Sequence, residues 1–302
     1  MDSIGCWDDP GVGMPEVTVG VLGASSLVGR CLLALLVREQ FKVVAFSRQP
    51  RHGSDSDTVS WQRLSETGVS AYAAPIPYWI CVAPIWTLPQ HFALLQACGA
   101  RKVVALSSTS RFSKSHSVDS AERRLANLLG DAEARVEQWA QDHGVHWGIL
   151  RPTLIYGQGR DKNITEIARF IRRFGFFPLL GGAMGLRQPV HAEDVASACV
   201  RALQAPQVCR HAYNLSGAET LPYREMVSRV FTAQKRRPRF LTVPLWVFRM
   251  TLWLLRVLPR YRHWSAAMAQ RMNQDLVFEH TEAARDLGFA PRGFLLSQDD
   301  LR

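Results

Sequence analysis

Short apolar runs alternate with stretches that place apolar residues at helical spacing through the first half of the chain. The runs typical of buried strands are Val17–Leu22, Lys42–Ser47, Tyr78–Ala83, Lys102–Leu106 and His146–Leu150. Helical spacing between them predicts helices over Leu27–Glu39, Leu88–Cys98 and Ala121–His143. This alternation predicts an α/β protein whose parallel sheet is covered by helices on both faces.

The second half is less regular, and its helical spacing predicts helices over Ile164–Phe174, Ala192–Gln204 and Tyr223–Gln234. Residues 1–16 carry no basic stretch followed by an apolar one, so we expect a disordered lead-in rather than a secretory signal. Leu245–Leu258 is strongly apolar but, at about 1.5 Å per helical residue, too short to span a bilayer.

The 302 residues are 47% apolar and 21% charged, which is ordinary for a globular protein. The six cysteines are scattered without a CxxC pair, so we expect a reducing, cytoplasmic location with neither disulfides nor a metal site.

The net charge is +10, and residues 161–302 hold 21 of the 36 basic residues but only 12 of the 26 acidic ones. A basic second half favours a phosphorylated substrate first and an anionic membrane surface second. No zinc-finger or RNP-type pattern is present, so we expect no nucleic-acid partner.

A glycine-serine turn follows the first predicted strand and opens directly into a helix. Gly23 permits a tight turn, and Gly29 lets the helix pack closely on the sheet. The N–H groups at the start of that helix can bind a pyrophosphate, which is how Rossmann folds hold dinucleotides. Ser26 stands where a glycine is usual. The turn residues predicted to contact the cofactor are Gly23, Ser25, Ser26, Leu27, Val28 and Gly29.

The end of the second predicted strand carries Ser47 and Arg48. An acidic residue at this point would bind a ribose 2′-hydroxyl, whereas a guanidinium suits a 2′-phosphate. Arg48 therefore favours NADP(H), with NAD(H) as the alternative, unless it is only a solvated loop residue.

These features and several later segments resemble the extended short-chain dehydrogenase/reductase superfamily, especially its NAD(P)-dependent epimerase/dehydratase branch. The later segments are Ser107–Ser110, Leu150–Asp161, Arg187–Ala196 and Asp286–Pro291. The resemblance implies a doubly wound Rossmann core over residues 17–160. It also implies a smaller, mostly C-terminal substrate lobe over 161–302, with elements that return to the core.

The same resemblance implies that Ala83 and Pro84 border the cofactor and that Pro152 and Thr153 lie near the nicotinamide. Thr109 is a further candidate for contact with the substrate, and Arg187 could bind the diphosphate of a nucleotide-linked sugar. Asn163 could face the substrate or merely cap the helix Ile164–Phe174. The implied reaction is NADP(H)-dependent oxidoreduction or epimerisation at a carbonyl or secondary alcohol. The substrate would be a nucleotide-linked sugar or a membrane-borne lipid.

The proton-transfer pair of this superfamily, a tyrosine followed four residues later by a lysine, has no counterpart here. Ser108 matches the family serine, but Leu129 and Glu133 stand in the tyrosine and lysine places. Three interpretations stay open. In the first, another group acts as proton donor, with Tyr156, Lys114, His116 or water as candidates and Tyr156 the best placed by analogy. In the second, the fold binds NADP(H) without turnover, as in an accessory subunit of respiratory complex I, and in the third, the alignment of this helix with the family is wrong.

Residues 245–264 combine apolar, tryptophan and arginine positions, with Arg249 and Arg256 on one helical face. This pattern favours either peripheral contact with the inner face of a membrane or a buried helix or dimer contact. The sequence leaves the oligomeric state open.

Overall fold

A computed structural model describes residues 17–48, 57–64, 74–208, 210–243 and 271–301 of the chain. Along these residues the strands are β1 (Thr18–Leu22), β2 (Lys42–Ser47), β3 (Val59–Arg63), β4 (Tyr78–Cys81), β5 (Lys102–Leu106), β6 (His146–Pro152), β7 (Ile155–Tyr156), β8 (Phe177–Leu180), β9 (Leu186–Arg187), β10 (Val190–His191), β11 (Arg210–Leu215), β12 (Leu221–Pro222) and β13 (Phe240–Val243). The helices are α1 (Leu27–Arg38), α2 (Phe92–Ala97), α3 (Ser110–Ser113), α4 (Ser120–Asp142), α5 (Ile164–Phe174), α6 (Ala192–Gln204), α7 (Tyr223–Ala233) and α8 (Thr281–Leu287), with 3₁₀ turns at Ile85–His91 and Asp299–Leu301.

Seven of these strands form one parallel sheet in the order β11-β6-β5-β4-β1-β2-β3. The chain runs outward from β1 in both directions, so the carboxyl ends of β1 and β4 lie side by side at the reversal point. Ligands of doubly wound sheets bind beyond such a point. The predicted fold class is confirmed.

Two strands of the sheet had no clear sequence signal. β3 lies in a stretch without strand periodicity and is only partly buried, because it forms one edge of the sheet. β11 comes from the second half of the chain and forms the other edge, beside β6. The predicted helix Leu88–Cys98 is wrong in its first turns: a 3₁₀ turn over Ile85–His91 contains Pro89, which has no N–H to donate, and α2 begins only at Phe92.

Each face of the sheet has its own apolar core. One core packs β-strand residues under α1 and α6, including Leu32 and Cys199, and the other packs them under α2 and α4, including Leu95 and Val136. A third core gathers residues of α5, α7 and β8, including Ile167, and forms a separate lobe. The second half of the chain is therefore divided, since α6 and β11 return to the Rossmann layers.

The proposed lead-in 1–16 and the segment 245–264 lie outside the described residues. Within the described part, no helix combines the length and apolar character needed to cross a bilayer.

Candidate functional site

The glycine-serine turn between β1 and α1 is held tightly against the end of β4. Gly23 has φ +83°, and a Cβ there would lie 2.4 Å from the backbone nitrogen of Ala83. A Cβ on Gly29 would lie 2.4 Å from the carbonyl oxygen of Gly23. Both glycines are thus required by backbone packing, as the sequence pattern predicted for Gly23 and Gly29. Ala83, with Pro84 beyond it, lies next to the turn at the carboxyl end of β4.

Ser26 caps α1 in place of the usual glycine. Its Oγ accepts a hydrogen bond from the N–H of Gly29 at 3.0 Å, and its own N–H donates to the carbonyl of Gly23 at 2.9 Å. The next two N–H groups of the first helical turn, those of Leu27 and Val28, have no acceptor within the described residues. Unpaired N–H groups at the positive end of a helix suit a pyrophosphate. Ser25, at the tip of the turn, is exposed. The serine therefore leaves donors available for a dinucleotide.

Arg48 directly follows β2 and is exposed. Ser47, the residue before it, pairs with Arg63 at the carboxyl end of β3. Two guanidinium-bearing residues thus lie at one edge of the sheet, beside the turn.

Glu133, aligned above with the family lysine, is a buried carboxylate with two arginine partners. Glu133 on α4 is fully buried and accepts a hydrogen bond from Ser107 Oγ at 2.5 Å. Arg151 on β6 donates to it from Nε at 3.1 Å and from Nη2 at 2.5 Å, and Arg111 on α3 pairs with it as well. One carboxylate against two guanidiniums leaves the cluster with one net positive charge. Leu129, in the tyrosine place, is buried in the core under α4 and offers no proton.

A cavity of about 490 Å³ opens beyond the carboxyl ends of β5 and β6, between the sheet and the smaller lobe. Its lining includes predicted site residues from three segments of the sequence: Ser108, Thr109, Thr153, Asn163 and Arg187. The further lining residues are Ser110, Ser113, Lys114, Leu154, Ile155, Gln188, Tyr223, Arg271, Met272, Leu276 and Phe278. The cavity therefore brings these five predicted residues together.

Backbone hydrogen bonds fix the hydroxyl-bearing loop at the floor of this cavity. The N–H and Oγ1 of Thr109 both donate to the carbonyl of Pro152, at 3.1 and 3.2 Å. Ser108 Oγ accepts from the N–H of Ser110 at 3.1 Å, so its own proton is free to be donated to a ligand. Thr153 donates its Oγ1 to the carbonyl of Gln188. The loop is thereby held rigidly to β6.

Asn163 stands just before α5 without capping it. Asp161 accepts from the N–H and the hydroxyl of Thr165 and supplies that cap, while the Asn163 side chain makes no capping bond. The Asn163 side chain is therefore available to the cavity that it lines.

Arg187 is buried in the cavity wall and braces a later segment of the chain. Its guanidinium donates to the carbonyls of Leu186 at 2.6 Å, of Gln274 at 2.8 Å and of Arg271. Burial lowers the pKa of Arg187. Arg187 thus has a structural role in the cavity wall, and its role at the substrate stays a prediction.

Lys114 is the cation of the cavity best suited to proton transfer. Burial, followed by the charge of Arg271, lowers the pKa of Lys114, against the opposing effect of Glu122 and Asp119. Arg271 itself pairs with Glu122 at 2.5 Å. Tyr223, by contrast, is a poor acid because burial raises its pKa to about 12.

Tyr156, the predicted replacement for the missing tyrosine, is not among the residues that line the cavity. It is fully buried in the core of the lobe, with edge-to-face contacts to His191 and Phe294 at ring-centroid distances of 5.1 and 5.0 Å. Burial raises the pKa of Tyr156, and its hydroxyl has no hydrogen-bond partner among the described residues. The structure thus argues for packing rather than catalysis. The other candidate, His116, is exposed and also absent from the cavity lining.

The cavity also contains residues that the sequence analysis missed. Gln188 lies within the segment Arg187–Ala196, which offered a signal. Arg271, Leu276 and Phe278 come from a stretch without a motif, and only the tertiary contacts with β9 and α4 bring them to the site.

The sequence model of the NAD dependent epimerase/dehydratase family matches residues 90–216. That span includes the Ser107–Ser110 loop, Glu133 and β6. The match, together with the fold, confirms the resemblance predicted from the sequence.

Curated relatives match parts of the chain. The uncharacterized protein y4nG of Sinorhizobium fredii is 27% identical over 206 residues, 65% of this chain and 50% of that protein. The NADH dehydrogenase [ubiquinone] 1 alpha subcomplex subunit 9, mitochondrial, of Arabidopsis thaliana is 30% identical over 97 residues, 32% of this chain and 24% of that protein. The chain thus spans half or less of the length of these relatives.

Among solved structures, the UDP-glucuronic acid 4-epimerase from Bacillus cereus in complex with NAD superposes with a TM-score of 0.67. The superposition covers 94% of this chain and 93% of that chain at 12% identity. The likeness establishes a common fold over nearly the whole of both chains.

Proposed function

We propose that this chain is an NADP(H)-dependent enzyme of the extended short-chain dehydrogenase/reductase superfamily that acts on a carbonyl or secondary alcohol of a nucleotide-linked sugar. The observation that carries the proposal is the cavity at the carboxyl edge of the sheet. Ser108, Thr153 and Lys114 all line it, and no carboxylate is among its described lining residues.

The cofactor would be held by the turn from Gly23 to Gly29, where the N–H groups of Leu27 and Val28 would be available to its pyrophosphate. Arg48 directly follows Ser47, which pairs with Arg63, and an arginine at this end of β2 favours a 2′-phosphate over a free ribose hydroxyl. A bound nicotinamide dinucleotide supplies hydride transfer to and from the substrate carbon.

Ser108 and Lys114 would manage the substrate oxygen and its proton. Ser108 Oγ already accepts from Ser110, so its O–H donates to the carbonyl oxygen and orients it. The Lys114 ammonium would donate a proton to that oxygen in the reduction, and the neutral amine would take the proton back in the oxidation. Burial lowers the pKa of Lys114 and so makes it a better acid than an ordinary lysine.

The charge of the cavity favours an anionic substrate. Lys114, Arg187 and Arg271 line it, and only Arg271 is paired with a carboxylate among its described partners. A diphosphate linked to a sugar offers both the charge and an oxidisable hydroxyl. The UDP-glucuronic acid 4-epimerase from Bacillus cereus that shares this fold is named for such a substrate.

Two observations favour a second function, a non-catalytic NADP(H)-binding subunit. Leu129 and the fully buried Glu133 occupy the places of the proton-transfer pair. In addition, part of the chain is 30% identical to a subunit of the respiratory NADH dehydrogenase.

Titration of the purified protein with NADPH and NADH, followed by turnover assays on a panel of nucleotide-linked keto-sugars, tests both functions. We expect tighter binding of NADPH and measurable reduction. Lys114→Met should lower kcat by about 10²–10⁴-fold, the usual contribution of a general acid, without changing NADPH affinity.

Lys42→Met is the matched control, because Lys42 is exposed at the amino end of β2, away from the cavity edge. We expect it to leave both properties unchanged. Tight NADPH binding with no turnover on any member of the panel would refute the proposed enzymatic function and support the non-catalytic subunit. Equal losses in both lysine variants would refute the role of Lys114.

A further inference from the structure

The smaller lobe carries a dense basic surface that the proposed reaction does not use. It is formed by the C-terminal end of α5 and by the connection from α7 to β13. Its cations, all exposed, are Arg172, Arg173, Lys235, Arg236, Arg237 and Arg239. We call this region the α5–β13 surface.

Backbone contacts bring the two parts of the α5–β13 surface together. Arg236 Nη1 donates to the carbonyls of Ile171 and Arg172, at 2.9 and 3.3 Å, and so closes the end of α5. The carbonyl of Arg239 accepts from the N–H of Phe177 at 2.9 Å, where β13 begins to pair with β8. The charges are therefore clustered by the fold and not only by the sequence.

These charges are not neutralised by the described part of the protein. None of the six cations forms an ion pair with a carboxylate there. Glu166, the acidic residue in the first turn of α5, forms its ion pair with Arg169 instead, at 2.6 Å. A cluster of six unpaired cations creates a field that favours a polyanionic partner.

Large apolar side chains are exposed beside the cations. Phe174 is 51% exposed and Leu241 is 53% exposed. The guanidinium of Arg173 lies 5.4 Å from the centroid of the Phe174 ring. The ring centroids of Phe170 and Phe174 are 4.6 Å apart. Charge and exposed aromatic surface thus occur together, a combination that suits the boundary between lipid headgroups and acyl chains.

A small cavity of about 210 Å³ opens within the same surface. It is lined by Arg172, Arg236, Gln234, Gln298 and Leu301. The Oε1 atom of Gln234 is buried and has no hydrogen-bond partner among the described residues, while its Nε2 donates to the carbonyl of Ala168 at 2.8 Å. The two guanidiniums that line the cavity match a phosphate.

We propose that the α5–β13 surface docks on an anionic phospholipid membrane, with the Arg172–Arg236 cavity receiving a headgroup phosphate and Phe174 and Leu241 entering the interface. Nucleic acid would satisfy the cations but leave both apolar side chains in water, so a lipid surface accounts for more of the observations. β13 ends at Val243, and in the sequence Leu245–Leu258 is rich in apolar residues and carries two tryptophans. The proposal does not depend on the proposed reaction.

Co-sedimentation of the full chain tests this surface. One set of vesicles contains phosphatidylcholine alone, and the other contains equal parts of phosphatidylcholine and phosphatidylglycerol. We expect binding to the anionic vesicles only, with an affinity that falls as salt is added. Each cation near the surface contributes about five-fold in affinity. Arg237→Gln/Arg239→Gln should therefore weaken binding about 25-fold.

Matched controls separate this surface from other contributions. Arg101→Gln/Arg135→Gln removes the same charge from exposed positions at the start of β5 and on α4 and should leave vesicle binding within about two-fold of wild type. Phe174→Ser should weaken binding even at high salt, where a purely electrostatic contact is already lost.

Equal losses in both double variants, or no loss in Arg237→Gln/Arg239→Gln, would overturn the proposal. So would tighter binding of a mixed-sequence oligonucleotide than of the anionic vesicles. All variants retain residues 245–264, so a contribution of that segment is constant across the comparison.

Discussion

Glu133 is the buried carboxylate of a cluster with Arg111 and Arg151, and removing its charge tests how much this cluster stabilises the fold. Glu133→Gln keeps the shape of the side chain and an oxygen that can accept from Ser107, but removes the negative charge. Arg151, with a side chain only 14% exposed, and Arg111, 33% exposed, then face no carboxylate in this cluster. Because the fully buried partner is removed, the guanidiniums are left without charge compensation.

The magnitude follows from the burial of these groups. Removing one partner of a buried ion pair costs about 3–5 kcal/mol of unfolding free energy. Arg151 donates through two nitrogens and is the more buried arginine, so most of the loss should arise there. We therefore expect Glu133→Gln to lower the unfolding free energy by about 3–4 kcal/mol, and Arg111→Met to lower it by less than Arg151→Met.

Urea denaturation monitored by tryptophan fluorescence and by circular dichroism measures these values, and a double-mutant cycle isolates the pair. In the Glu133→Gln background, Arg151→Met should cost less than in the wild type, with a coupling energy of about 1–3 kcal/mol. Strict additivity, or a loss below about 1 kcal/mol for Glu133→Gln, would show that the cluster does not act as a buried ion-paired unit.

Three further predictions rest on single contacts. Gly23→Ala places a Cβ 2.4 Å from the Ala83 nitrogen and at φ +83°, so it should abolish NADPH binding in a fluorescence titration, whereas Ala24→Gly should retain it. Burial alone would raise the pKa of Asp300, but hydrogen bonds from His191 and Ser297 hold it well below its usual range. The resulting stabilisation is full above about pH 4, where the unfolded carboxyl is also ionised, and is lost as the pH falls further. Asp300→Asn should therefore lower the melting temperature at pH 7 and flatten its fall below pH 4, and an unchanged acid profile would contradict this. Tyr156→Phe should leave kcat unchanged, since the Tyr156 hydroxyl lies in the lobe core without a described partner; a loss of kcat with an unchanged melting temperature would restore its catalytic role.

The sequence by itself determined the Rossmann layers and the cofactor turn. The predicted bounds of three elements agree with the structure to the residue: Lys42–Ser47, Lys102–Leu106 and Ile164–Phe174. Buried strands and amphipathic helices impose their periods on apolar residues, so such bounds can be predicted from the sequence. The need for glycine at positions 23 and 29 was also predictable from the sequence, since a Cβ at either position would collide with backbone atoms. Strand and helix periods and turn residues depend on neighbouring positions of the chain, so they can be recognised in the sequence.

Only the tertiary structure decided which polar residues share the site. It united Ser108, Lys114 and Arg271, separated by up to about half of the chain, and placed Tyr156 in an apolar core instead. It also showed that Glu133, which the sequence marked only as a missing lysine, is matched by two arginines from α3 and β6. Such groupings depend on how distant segments pack, and packing leaves no period along the chain.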